Sequence, residues 1–173
     1  DALPILARAT SEQWQYILDL ELWHKDRLDF DALHYWLPLL LKADPQRLVA
    51  WGIEQNATLI SFHLFDTIEV KVREENDSAS EFDEAYFSFD GTFYIRVREA
   101  RYYEPIYEFL RRLAEYDLKE LHRFLIELSG FLPWESEEEL YRLRNVRLAE
   151  RGFLPHEEAI AIYQYLDADT LVH

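Results

Sequence analysis

Apolar residues recur at three- and four-residue intervals along most of this chain, the period of a helix with one buried face. Thr10 and Gln13 have capping-box spacing, and Trp14, Ile17, Leu18 and Leu22 follow at helical intervals, predicting a helix from about 11 to 24. Asp29 can cap the next helix, whose stripe is Phe30, Leu33, Leu37, Leu40 and Leu41, and Pro38 should kink or divide it. Asp44-Pro45 restarts the chain with Asp as N-cap and Pro at the first helical position. Ile106, Phe109, Leu110 and Leu113 form a stripe around Glu104-Pro105. Asp117 caps a further helix running through Leu118, Leu121, Leu125 and Leu128 to Gly130, with Phe124 and Ile126 widening its apolar surface. Ser136 and Glu139 make a second capping box, opening a helix that ends at Gly152. Pro155 opens the last one, with Ala159, Ile162, Tyr163 and Leu166 facing inward.

Between about 68 and 97 the period changes from helical to alternating. Ile68, Val70 and Val72 alternate with Glu69, Lys71 and Arg73, as in a half-exposed strand. An acidic, Ser-containing stretch from Glu74 to Glu84 reads as a loop. Tyr86 to Phe89 and Thr92 to Ile95 then flank Asp90-Gly91, whose residue types suit the two positive-φ positions of a type I′ turn. The expectation is a β-hairpin, with Ile68 to Arg73 as candidate third strand. Pairing across a two-residue loop puts Phe87, Phe89 and Tyr94 on one face and Tyr86, Phe93 and Ile95 on the other.

The fold class expected is mainly α, an irregular multi-helical bundle or a short α-solenoid with an inserted β-hairpin. Helix starts recur at Asp44-Pro45, Asp117-Leu118 and Asp167-Ala168, but without a fixed period. A length of 173 residues fits a single domain, helical over 1–66, with the hairpin insertion at 68–97 and helices again over 100–173. The start at Asp1 and the lack of Met lead us to expect a trimmed fragment of a longer chain.

Composition narrows the function classes. Eighteen Lys and Arg against 34 Asp and Glu give a net charge of −16, which repels phosphate backbones at long range, so no nucleic-acid partner is expected. No apolar run reaches the length of a membrane span, so no membrane insertion is expected. With no Cys, disulfides, thiolate metal sites and Cys nucleophiles are excluded, and the default location is cytoplasmic. No Gly-x-Gly-x-x-Gly, P-loop or Gly-x-Ser-x-Gly pattern occurs, which leans against an enzyme.

Three features could carry chemistry. On the helix from Ser136, Arg144, Arg147 and Arg151 fall within about 40° of Leu140, so three guanidinium groups share the arc expected to face the protein. They either cover apolar surface and pair with internal carboxylates, or receive an anionic ligand or acidic partner segment, because the guanidinium fork binds such groups bidentately. The aromatic hairpin, with Phe87, Phe89, Phe93 and Tyr94, wants burial on both faces and is a candidate protein-contact surface for a partner or for self-association. Glu21 and His24 have Glu-x-x-His spacing and Asp31 and His34 its Asp analogue. A second Glu-x-x-His is missing, so no metal ligand set and no cofactor are assigned. His156-Glu157-Glu158 lacks the second His of a zincin, and His63 and His122 read as satisfied core or boundary residues.

Leu20-Glu21-Leu22-Trp23, Arg147-Leu148-Ala149-Glu150-Arg151-Gly152-Phe153 and Ala161-Ile162-Tyr163-Gln164-Tyr165-Leu166-Asp167 carry a resemblance covering most of the chain. By these phrases the sequence resembles a bacterial family of uncharacterised, mainly helical proteins. The resemblance implies bacterial origin and helical architecture and hands over no catalytic residue. The helix starts are also faintly similar to the cytoplasmic helical domain of bacterial magnesium transporters. The function expected is a non-catalytic protein-interaction or scaffolding domain. The alternatives are an anionic small-ligand binder or enzyme using the Arg144, Arg147 and Arg151 face, and regulatory divalent-metal binding through Glu21 and His24.

Overall fold

A computed structural model of the chain describes residues 2–76 and 84–153. In order, these form α1 (Leu3–Arg8), α2 (Ser11–Glu21), β1 (Trp23–His24), β2 (Arg27–Leu28), α3 (Phe30–Ala43), α4 (Pro45–Gln55), α5 (Ala57–Thr67), β3 (Ile68–Val72), β4 (Phe93–Val97), α6 (Tyr103–Tyr116), α7 (Leu118–Leu128) and α8 (Pro133–Glu150). The fold is mainly α with inserted antiparallel strands. Two compact units emerge: 2–51 with 133–153, and 52–76 with 84–132. The helix expected from Pro155 and the third repeated start at Asp167 lie outside the described residues, as does most of the acidic stretch before Tyr86. Among the described residues no helix is long and apolar enough to cross a membrane.

In the first unit α2 opens as its sequence dictates. Thr10 Oγ1 accepts from Gln13 N, and Gln13 Oε1 accepts from Thr10 N, a pair of end bonds worth about 1 kcal/mol. The helix stops at Glu21, three residues before the expected end. Lys25, at φ 59°, reverses the chain into the two-residue hairpin of β1 and β2, where Trp23 opposes Leu28 and His24 opposes Arg27. Glu21 and His24 therefore do not share a helix face. Asp29 caps α3 through Ala32 N, and Pro38 sits inside α3 without dividing it. Asp44 accepts from Arg47 N at the start of α4, as expected. Trp14, Ile17, Leu18, Leu33, Leu40 and Leu48 are fully buried here. Arg47 lies over the Trp14 ring at 3.7 Å and donates to the carbonyls of Leu6 in α1 and of Ala9, its C-cap, so one guanidinium closes the end of α1.

In the second unit α6 and α7 pack together on the stripes read from the sequence: Ile106, Phe109, Leu110 and Leu113 against Leu121, Phe124, Leu125 and Leu128. Ile126 does not widen this surface, being 58% exposed. Helix α5 had no stripe to read, because its buried residues surround the axis: Leu59, Ile60, Ser61, Phe62, His63 and Leu64 are consecutive.

The sheet differs from the expected hairpin. Strand β4 pairs antiparallel with β3, not chiefly with 86–89, in the register Ile68–Val97, Val70–Ile95 and Val72–Phe93. Residues 86–89 contribute a single bridge, Phe87 opposite Ile95. Gly91 has φ 75° but Asp90 is not in the positive region, so the turn is not type I′. The Asp90 side chain makes the turn instead, accepting from Thr92 N at 2.9 Å and Phe93 N at 3.0 Å. The pairing consequently slips by one residue from the two-residue-loop register, which moves Phe87 to the same face as Ile95 and Phe93.

Candidate functional site

The face of β3 and β4 that carries Ile68, Val70, Val72, Phe93, Ile95 and Val97 turns apolar side chains one way, and Ile68, Ile95 and Val97 are buried. The opposite face is polar. Arg96 Nη2 donates to Glu69 Oε2 at 2.5 Å across the strand pair, and Tyr86 Oη donates to Glu69 Oε1 at 3.1 Å. These bonds hold the Glu69 carboxyl below its ordinary value, Arg96 first and Tyr86 second.

Hydrogen bonding along β3 alternates as well. Arg98 N donates to Thr67 O and Arg73 N to Thr92 O, so Glu69 and Lys71, in the same parity, point their backbone groups at β4. Ile68, Val70 and Val72 point theirs to the other edge. There the Ile68 amide bonds Leu64 O and the Ile68 carbonyl accepts from Arg98 Nε at 3.1 Å. Among the described residues nothing pairs with the backbone of Val70 or Val72. The matching edge of β4 is occupied, since Ile95 and Phe87 exchange bonds of 2.8 and 2.9 Å.

Beside the bare edge lies a groove of about 380 Å³, walled by Phe65 of α5, Val70 and Val72 of β3, Phe93 of β4 and Ile126 of α7, with Arg98 at its rim. Three of these apolar side chains stand well out of the protein: Phe65 is 40%, Val72 54% and Ile126 58% exposed. Unpaired strand edge and exposed apolar wall occur together, the combination that native proteins ordinarily cover or blunt. Arg98 has no carboxylate partner among the described residues, although the chain carries almost twice as many acids as bases.

The residues singled out from the sequence are placed as follows. Phe87 and Phe89 pack on α6, with Phe87 5.0 Å from Tyr107 and 6.0 Å from Tyr103, so these two rings are used internally. Phe93 lies against His122, the ring centroids 5.2 Å apart and the planes tilted, and is the one of the four hairpin aromatics that walls the groove. Tyr94 sits opposite Lys71, on the polar face.

Arg144 and Arg147 share the face of α8 turned to α2, Arg151 lies in the 3-10 turn (Arg151–Phe153) that follows α8, and all three are engaged with α2. Arg147 grips the buried Asp19 carboxylate bidentately, Nε to Oδ2 and Nη2 to Oδ1, each at 2.8 Å. Arg144 Nε donates to the Asp19 carbonyl at 2.7 Å, and Arg151 donates to the Glu12 carbonyl. Helix α8 starts at Pro133 rather than at Ser136: Pro fits the first turn without losing a bond, and Glu137, next to the expected cap, accepts from Leu28 N in β2.

Among the described residues no three His, Cys, Asp or Glu side chains gather as a metal site. Buried His34 and exposed Asp31 do not share an inward face. Among the described residues, Ser88, Asp90 and His122 come together in a way that invites comparison with a catalytic set. There His122 Nε2 lies 2.5 Å from Asp90 Oδ2, and the Ser88 hydroxyl donates to Asp90 Oδ1 at 3.1 Å. The carboxylate lies between hydroxyl and imidazole, so the base does not reach the nucleophile as acyl transfer requires. Burial pushes the Asp90 carboxyl up, but the bonds from Thr92, Phe93, Ser88 and His122 outweigh it and hold it below its ordinary value. This cluster fastens the turn to α7.

The chain belongs to the family of unknown function DUF6178, which it matches over residues 1–173. No curated protein and no solved structure matches it, so the similarity to magnesium transporters finds no support.

Proposed function

We propose that this chain is a non-catalytic protein-interaction domain whose docking element is the outer edge of β3 with the groove beside it. The observation that carries the reading is the bare backbone of Val70 and Val72 bordering the exposed side chains of Phe65, Val72 and Ile126. An extended segment of another protein would pair with these backbone groups and set alternate apolar side chains into the groove, the mode known as strand addition. Arg144, Arg147 and Arg151 lend the anionic-ligand alternative no comparable support, because their guanidinium groups are spent on Asp19 and Glu12.

A second copy of the chain fits the edge poorly. The two-fold register using both bare residues sets Val70 opposite Val72 of the other copy and Lys71 directly opposite Lys71, a destabilising like-charge pair. Each copy also carries −16. A different protein is the better occupant.

The test is site-directed photo-crosslinking in cells, with a benzophenone side chain at position 72 and, as control, at the exposed position 116. The reading expects a discrete adduct from position 72 that disappears when Val70→Pro is added. It fails if position 72 gives no adduct, or if positions 72 and 116 give the same adducts regardless of Val70→Pro.

A further inference from the structure

We infer that the segment received by β3 is the C-terminal end of its protein, with its terminal carboxylate held by Arg98; this rests on the strand-addition reading above. Three observations converge on that end of the edge. The Arg98 side chain leaves the end of β4, crosses over β3 and donates through Nε to the outward carbonyl of Ile68 at 3.1 Å. Its guanidinium therefore stands on the outer edge, beside the first bare residue. The rest of its fork bonds no carboxylate among the described residues. Lastly, both backbone groups of Ile68 are committed, the amide to Leu64 and the carbonyl to Arg98, so a ladder started at Val72 and Val70 can go no further.

Direction then decides which chain end arrives there. A strand added antiparallel to β3 runs from Val72 towards Ile68, so its C-terminal end meets Arg98. A parallel strand would bring an N-terminus to the same point and set an ammonium against a guanidinium. An internal segment would have to leave the sheet abruptly at Ile68, whereas a chain that ends there loses no pairing. A carboxylate also fits a guanidinium fork, which can hold it through two parallel charge-assisted bonds. The chain's net charge of −16 opposes an incoming anion, but charges farther than about 8 Å are largely screened at physiological salt, so the adjacent Arg98 dominates. The residues opposite Val70 and Val72 face the groove and should be apolar.

The experiment displays random peptides on phage in two libraries: one in which the random segment ends in a free C-terminus, and a twin in which a fixed Gly-Ser tail follows it. The bait is the full 173-residue chain. Enrichment is expected from the free-end library, with apolar residues at alternate positions. The selected peptides, synthesised as carboxylate and as amide, should lose about 10- to 100-fold in affinity on amidation, the value of a bond to a charged group. Arg98→Gln should cost the carboxylate form the same factor and leave the amide form unchanged. Val70→Pro and Ile126→Asp should each abolish binding of both forms. Equal enrichment from the tailed library, or binding that Val70→Pro or Ile126→Asp removes but amidation or Arg98→Gln does not weaken, overturns the chain-end inference and leaves strand addition standing. If no peptide from either library responds to Val70→Pro or Ile126→Asp, both fall.

Discussion

Arg98 Nε donates to the main-chain carbonyl of Ile68 across 3.1 Å, which carries a guanidinium from the end of one strand to the outer edge of the next. The bond finishes the ladder at that end and leaves Val70 and Val72 as the bare part of β3. Everything proposed for this protein depends on that parity: odd positions of β3 bonded inward, even positions turned out.

The parity predicts opposite responses to proline at neighbouring positions. Val70→Pro removes an amide that points away from β4 and should cost less than about 1 kcal/mol, as proline does on a strand edge. Lys71→Pro removes a ladder bond to Tyr94 and should cost about 1 to 3 kcal/mol more. Urea unfolding of the two variants measures the difference; equal losses would mean that the register is wrong.

The Asp19–Arg147 pair should behave as a buried ion pair. With Asp19 only 2% exposed, Arg147→Leu leaves a carboxylate stranded and should destabilise the protein by about 3 to 5 kcal/mol. Asp19→Leu combined with Arg147→Leu should recover most of that loss, because no charge is left behind. A double-mutant cycle by thermal denaturation reads both, and an additive cycle would exclude the pairing.

These two contacts differ in how far the sequence announced them. The arc shared by Arg144, Arg147 and Arg151 follows from helical spacing, yet nothing in the spacing says that its partner is Asp19, more than a hundred residues earlier. The stripes of α6 and α7 were legible because each has one apolar face, whereas α5 is apolar all round and offers no period. Asp90-Gly91 announced a turn correctly. Its register was hidden because the Asp90 carboxylate, not its φ, shapes the loop, and a one-residue slip reverses the aromatic faces. The alternation of Ile68, Val70 and Val72 was plain, but which edge stays bare depends on pairing with a strand some twenty residues away. Arg98 carried no local signal at all.

The turn should weaken in acid. Because the folded Asp90 carboxyl lies below its ordinary value near 3.8, its contribution is fully present above that pH and is lost as the pH falls through the lowered folded value. Asp90→Ala should cost about 1.5 to 3 kcal/mol at neutral pH. Its Tm should then converge with that of the parent below about pH 4. A gap between the two melting curves that stays constant down to pH 2 would remove Asp90 from the account.

Exposed Ile126 should be silent in stability and decisive in binding. Ile126→Asp should change the unfolding free energy by less than about 0.5 kcal/mol, while removing a wall of the groove. Calorimetric unfolding beside the peptide titration separates the two; a large loss of stability would show that Ile126 is packed rather than presented.

Residue-resolved amide exchange on the isolated protein bears on the central claim most directly. The free edge predicts that Val70 and Val72 exchange near the rate of unstructured peptide, while Glu69, Lys71 and Arg73, bonded inward, are protected by orders of magnitude. Protection of Val70 and Val72 equal to that of their neighbours would mean the edge is already covered, and would contradict both the docking site and the partner inferred for it.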